Sequence, residues 1–433
     1  MKRIMFFICI CGAFSLMVHA QETRLNMDSL TQVGIQNAVK KAYQMTDLAF
    51  VPVGTFYPNS AEKKPYVEGE HYTGVIYSSV KETNTFVGQD VSFHTFMTAM
   101  RNPRSVLYTE QLDKAPYHGT NCRAYYGTVC SGLVNYALGI KLAQRSTDIL
   151  ESDRFELIPE QNARGVQVAD IIARDGHPRI VTAKDTNSKG QLVVEICVAY
   201  NSGSKRYTVV GEKAFDSMLK RNGYKIFRYK DIWQNTGYKP ANEFVAVAGE
   251  EKLPFEYNDE ICANKGDESC YVTGEDVVIN VLGKGEKVQI YKDNELFKEI
   301  NVQNKDTDLV LKDYAYGNYK ARLVKKSGRK SKFTRWQIVD VNVSVDKEKN
   351  RICFSSANAT PVYYEFSTIG GSRPTNKNRT YAALLSEEDI KNGYVKVQPP
   401  KKPTEGKNGL NYVKVHFESK YGMSINKPLD WFE

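Results

Sequence analysis

The sequence predicts an α+β unit in its first half and one or two all-β sandwiches in its second. Three observations carry that reading. Apolar residues at helical spacing are concentrated before about residue 140. After Gln167 the texture changes to short β-branched runs broken by turn residues. Beyond Glu250 such runs recur about every 10 to 25 residues, with no helical stretch until a short one at "SEEDIKNG".

Element by element, the chain opens with "MKRIMFFICICGAFSLMVHAQETR". Lys2 and Arg3 precede an apolar run that ends before "VHA", which is the pattern of a secretory signal peptide over residues 1–20. Cys9 and Cys11 each follow an isoleucine, which argues against a lipid anchor. Residues 28–47 combine a capping Asp or Ser with helical spacing and predict a leading helix. In "YGTVCSGLVNYALGI" a helix starts at Cys130, carries Leu133, Val134, Ala137 and Leu138 on one stripe, and stops at Gly139. "VADIIARDG", "HPRIVTAKD", "QLVVEICVAY" and "KRYTVVG" read as strands, "EKAFDSMLKRNG" as a helix ending on Gly223, and "YKIFRYKDI" as a further strand. The first unit therefore spans residues 21–245. The all-β part divides near Val341 into Ig-like sandwiches over 250–340 and 341–433.

Charge and composition exclude some functions. Lys and Arg number 59 against 50 Asp and Glu, and the leader removes two of the positive charges. That mild excess does not demand a nucleic-acid partner. No later stretch is long and apolar enough for a membrane helix, so a soluble mature protein is expected. The cationic run from Lys320 to Arg335 reads first as a solvated hairpin and second as a contact for anionic polymer. Beyond the leader lie Cys122, Cys130, Cys197, Cys262, Cys270 and Cys353. In an oxidising compartment these suit disulfides, and "ICANKGDESC" makes Cys262–Cys270 the favoured bridge.

Cys130 is the residue with chemistry in view. A thiolate is the nucleophilic form, and a helix start lowers a thiol's pKa while its free N–H groups suit an oxyanion. Ser131 supplies one such N–H and Gly132 allows close approach. His177, opening the strand "HPRIVTA", is the best base, ahead of His94 and His118, which read as structural. Glu195 in "QLVVEIC" is the favoured third group to hold the imidazole, with Asp185 and Asn187 as weaker candidates at the turn. Cys122 lacks a helix start, and no His/Cys/Asp spacing suggests zinc.

Taken together, Cys-Ser-Gly-Leu-Val opening a helix, an Asp-Ile-Ile strand and Gly-His entering the next strand resemble the NlpC-type cell-wall cysteine peptidases (NlpC/p-sixty). The resemblance covers about residues 70–200 and implies a papain-like α+β catalytic domain. Carried over, it implies Cys130 as nucleophile, His177 as base and Glu195 in third place. "YTGVIYSS" resembles the family's tyrosine-bearing stretch ahead of the cysteine, implying Tyr77 at the substrate, and Tyr126 and Ser131 join it as expected substrate contacts. The chain departs from the family pattern with Val129 where Asp is usual, Ala169 where Gly is common, and a long insertion over residues 78–129.

The reading is a secreted, periplasmic or extracellular, cysteine hydrolase. It is expected to cleave an amide bond, foremost in peptidoglycan stem peptides, as a monomer without cofactor or metal. Its rivals are an amidase or acyltransferase of the same fold acting on a lipid or small acyl amide, and a non-catalytic cell-wall or carbohydrate binder.

Overall fold

The computed structural model describes residues 27–57, 64–78, 87, 90–109, 126–141, 146–200, 202–237, 257–367, 382–400, 411–425 and 429–433. The expected leader, His118 and Cys122 lie outside them. Helix α1 covers residues 27–47 and buries Ala38, Ala42 and Met45. A short ladder of β1 (Ala49–Phe50) and β2 (Tyr72–Thr73) follows. Helix α2 (Phe93–Arg101) is capped by the Ser92 side chain, which accepts the Thr95 N–H. The one-turn α3 (Val106–Thr109) comes next, then α4 (Cys130–Leu138), which ends on Gly139 in the left-handed region. Thus part of the segment expected to be an insertion builds the interior: Phe93, Phe96 and Met97 of α2 are fully buried. The short α5 (Ser146–Glu151) leads into the sheet.

That sheet has six antiparallel strands in the spatial order β3 (Phe155–Leu157), β8 (Lys225–Tyr229), β4 (Ile171–Ala173), β5 (Arg179–Thr186), β6 (Leu192–Tyr200) and β7 (Gly203–Val210). Side chains alternate between faces along a strand. Ile171, Ala173, Ile180 and Cys197 therefore join the core shared with α1, α2 and α4. Ile172, Val181, Val194 and Ile196 face the other way and pack on Phe215 and Leu219 of α6 (Glu212–Asn222). The result is a sheet with helices on both faces, and the N-terminus of α4 lies at its β4–β5 end.

Residues 261–339 form a sandwich. Five strands, Ser269–Val272, Thr334–Val339, Gly317–Val324, Lys287–Lys292 and Glu295–Asn301, face three, Thr307–Leu311, Val277–Val281 and Ile261–Ala263. Val288, Ile290, Trp336, Val277 and Ile279 fill the space between. A second pair of sheets over residues 342–430 has its own core, including Ile352, Val413, Val415 and Phe417. The helix at "SEEDIKNG" forms as Glu387–Asn392 with a capping box at Ser386. The expected Cys262–Cys270 bridge is not formed, and both thiols are free. Cys262 pairs with Asn280 in the smaller sheet, while Cys270 pairs with Gln337 in the larger, where the Ser419 hydroxyl donates to its sulfur at 3.4 Å. Among the described residues no helix is long and apolar enough to cross a membrane.

The step into β4 is fixed by two features. Asp170, buried, accepts Arg228 Nε and Nη2 at 2.8 and 2.9 Å and the Gln167 N–H at 2.7 Å. Ala169 sits at φ 69° while its N–H donates to Val181 O at 2.8 Å. A left-handed alanine is strained by its Cβ, and glycine is not. Ala169→Gly should therefore raise the unfolding free energy of this unit by about 1 kcal/mol, measured by denaturant titration.

Candidate active site

Cys130 opens α4 after Val129, an extended residue that caps without a side-chain hydrogen bond. Its thiol, half-buried, donates to Gly176 O at 3.3 Å. Gly176 belongs to the β4–β5 turn, and the next residue is His177, so chain segments far apart in sequence meet at one point. Tyr77 arrives by another route. Residues 76–78 run parallel to 127–129: Tyr77 bridges Thr128, Ser78 N donates to Thr128 O at 3.1 Å, and Thr128 N donates to Ile76 O at 3.0 Å. Gly127 permits this contact. It adopts φ 124°, and a Cβ there would lie 2.6 Å from Ser78 Cβ.

Electrostatics give the resting form. Burial pushes the Cys130 thiol up to about 11, against the pull of the Ser131 and Cys130 N–H groups at the helix start and of Arg179. Burial, then Arg174 and Arg179, hold His177 below the usual histidine range, partly opposed by Asp175. Burial, with smaller contributions from Cys130 and Tyr200, raises Tyr77 to about 12, so its hydroxyl stays protonated and can donate. At neutral pH the pair is therefore thiol and neutral imidazole.

Two expected residues fall elsewhere. Glu195 lies opposite Ala183, well along β5 from His177; the one-residue register shift between Val181 and Ala183 changes its partner only from Thr182 to Ala183. Its carboxylate accepts the Tyr43 hydroxyl at 2.7 Å and the Thr182 hydroxyl at 2.8 Å, with Arg206 at 3.8 Å. It ties α1 to the sheet and does not orient the imidazole. Asp185 and Asn187 lie farther still toward the hairpin end; Asn187 accepts from Lys189 and Gln191 in the turn. Among the described residues nothing hydrogen-bonds the His177 ring. Tyr126 is fully buried, and its hydroxyl donates to Lys265 O at 2.5 Å, so it is a packing residue rather than a substrate contact. Ser131 stays beside the thiol through its N–H. His94 points away to Asp267, 2.8 Å distant.

Arg179 escaped the sequence reading. Its two Nη atoms donate to the hydroxyls of Tyr207 and Tyr224, and its guanidinium lies 4.4 Å above the Tyr224 ring. The Arg two residues after His177 was visible; the tyrosines that fix it come from β7 and the start of β8, which no local pattern links. Among the described residues no group of His, Cys, Asp and Glu is arranged to hold a metal.

No family model and no curated protein matches the chain. Among solved structures, the fibronectin(III)-like modules of Clostridium thermocellum CbhA align over 39% of this chain and 90% of theirs, at 15% identity and a TM-score of 0.19. The BSP domain of a biofilm-associated protein aligns over 57% and 45%, at 10% identity and 0.15. The FN1–FN3 domains of chicken CNTN1 align over 55% and 76%, at 10% identity and 0.17. Likeness of this order carries no argument about the site.

Since Glu195 anchors a helix, Glu195→Gln should cost about 1 kcal/mol of stability, because one amide oxygen can still accept from Tyr43 and Thr182. The same variant should leave the rate and pH dependence of Cys130 alkylation by iodoacetamide unchanged.

Proposed function

We propose that the chain is a secreted cysteine hydrolase of amide bonds, with a papain-like, NlpC-type catalytic unit that acts on peptidoglycan stem peptides outside the cytoplasm. The observation that carries the proposal is the hydrogen bond from the Cys130 thiol to Gly176 O, which sets a helix-start cysteine against the turn that bears His177. Tyr77 beside the same thiol supports it.

Because the resting pair is neutral, proton transfer and attack are coupled. His177 takes the Sγ proton as sulfur bonds to the amide carbon, and the Cys130 and Ser131 N–H groups face the developing oxyanion. The C–N bond then breaks as His177 returns the proton to the leaving amine. Water, deprotonated by His177, attacks the thioester and frees the acid and the thiol. The Tyr77 hydroxyl is placed to donate to the substrate.

Cys130→Ala should abolish hydrolysis of muropeptides, followed by mass spectrometry, with the far-UV circular dichroism spectrum kept; residual turnover would sink the reading. The pH dependence follows from charge. His177 must be neutral to accept a proton, and its pKa lies below the ordinary value, so the acid limb of kcat/KM should fall below about pH 6.5. Arg174 is exposed and raises the cost of the imidazolium. Arg174→Gln should therefore move that limb to higher pH, and an unmoved limb would remove Arg174 from the account.

A second reading, a non-catalytic wall binder, is favoured by the absence, among the described residues, of a hydrogen bond that orients the imidazole. It predicts intact muropeptides after incubation with the wild-type chain.

A further inference from the structure

A second site stands away from Cys130, where α2 meets the first sandwich. A cavity of about 570 Å³ opens there, within the size range of small-ligand sites. Helix α2 contributes His94, Thr98, Arg101 and Asn102, and the sandwich side contributes Tyr257, Asp259 and Asp267 among others.

Most of its polar groups are already engaged. Asp267 holds His94 Nε2 at 2.8 Å, the Arg335 N–H at 2.5 Å and Arg335 Nη1 at 3.3 Å. Asn102 donates to Asn280 Oδ1 at 2.8 Å, and the Thr98 hydroxyl donates to main-chain oxygens of α2 while accepting the Asp267 N–H at 2.8 Å. These bonds make the walls rigid and leave them little to offer a ligand.

Arg101 differs. It is exposed, and its guanidinium lies 4.5 Å over the Tyr257 ring. Among the described residues it makes no ion pair or hydrogen bond, so all its N–H donors are free to meet an oxyanion. Asp259, also exposed, lines the same cavity two residues beyond Tyr257 and likewise makes no ion pair among the described residues. One cavity thus holds an unspent cation over an aromatic ring and an unspent anion on the same wall as that ring. A carboxylate suits the first and an ammonium group the second; a simple anion would meet repulsion from Asp259.

We propose that this junction cavity binds a zwitterionic amino acid or short peptide, its carboxylate on Arg101, its amino group toward Asp259 and its body against Tyr257. The site belongs to the junction and not to the Cys130 chemistry.

Isothermal titration of the full chain with dialanine tests it. Saturable binding is expected, weakened about tenfold or more in Arg101→Gln and weakened also when the dipeptide's amine is acetylated. Arg101 is exposed, so the variant should keep the wild-type unfolding temperature, which is measured alongside. Cys130→Ala should bind as wild type, separating failure of this proposal from failure of the hydrolase. No binding at millimolar dialanine, or equal binding by Arg101→Gln, overturns it.

Discussion

The short parallel pairing of residues 76–78 with 127–129 is the constraint on which the site depends. It closes a long excursion of chain and brings Tyr77 and Cys130 side by side. The pairing needs Gly127 at φ 124°, since any Cβ would strike Ser78. Within that excursion, helix α2 enters the core through Phe93, Phe96 and Met97 and meets the first sandwich through His94 and Asp267, with the Arg104–Asp308 pair just beyond its end. A long separation in sequence costs little in closure entropy once such a clasp exists.

Local signals were readable where one residue enforces one geometry. Gly139 and Gly223 both occupy left-handed C-caps, and α4 and α6 end on them as their patterns require. Ser386 and Asp389 form the capping box that ends the otherwise all-β run. The sandwich strands were legible because a sheet with one buried face imposes alternation. Register was not. A strand pattern fixes which face a residue takes and not which partner it meets, and the β5–β6 pairing sets Glu195 opposite Ala183, away from His177. The cysteine pair failed for a related reason: the seven residues between them said nothing about Cys262 and Cys270 entering different sheets.

The polar group at Glu195 shows why a half-buried acid on a strand is a poor signature of catalysis by itself. Tyr43 and Thr182 satisfy one oxygen, and Arg206 lies against Asp47 at 3.0 Å and over the Tyr43 ring at 4.7 Å. A buried carboxylate needs such partners merely to be tolerated. Here they also fasten α1 across the sheet, so the cost of burying the charge is offset by orientation of the helix that closes the core.

The proposed catalytic pair, Cys130 and His177, poses the opposite case. Burial raises the thiol, and burial together with Arg174 and Arg179 depresses the imidazole, so neither partner is charged at rest. Asp175 favours the imidazolium but is outweighed by burial and the two arginines, and Glu195 is spent elsewhere. On the proposed mechanism, the surroundings of Cys130 thus favour a thiol that would react only as a substrate carbonyl arrives, with the helix-start N–H groups receiving charge at the moment it forms. Arg179, fixed by two tyrosine hydroxyls, stabilises negative charge at sulfur while opposing positive charge on His177. In the proposed reaction it would therefore favour departure of the proton from the imidazole toward the leaving group, the step that would commit the acyl-enzyme.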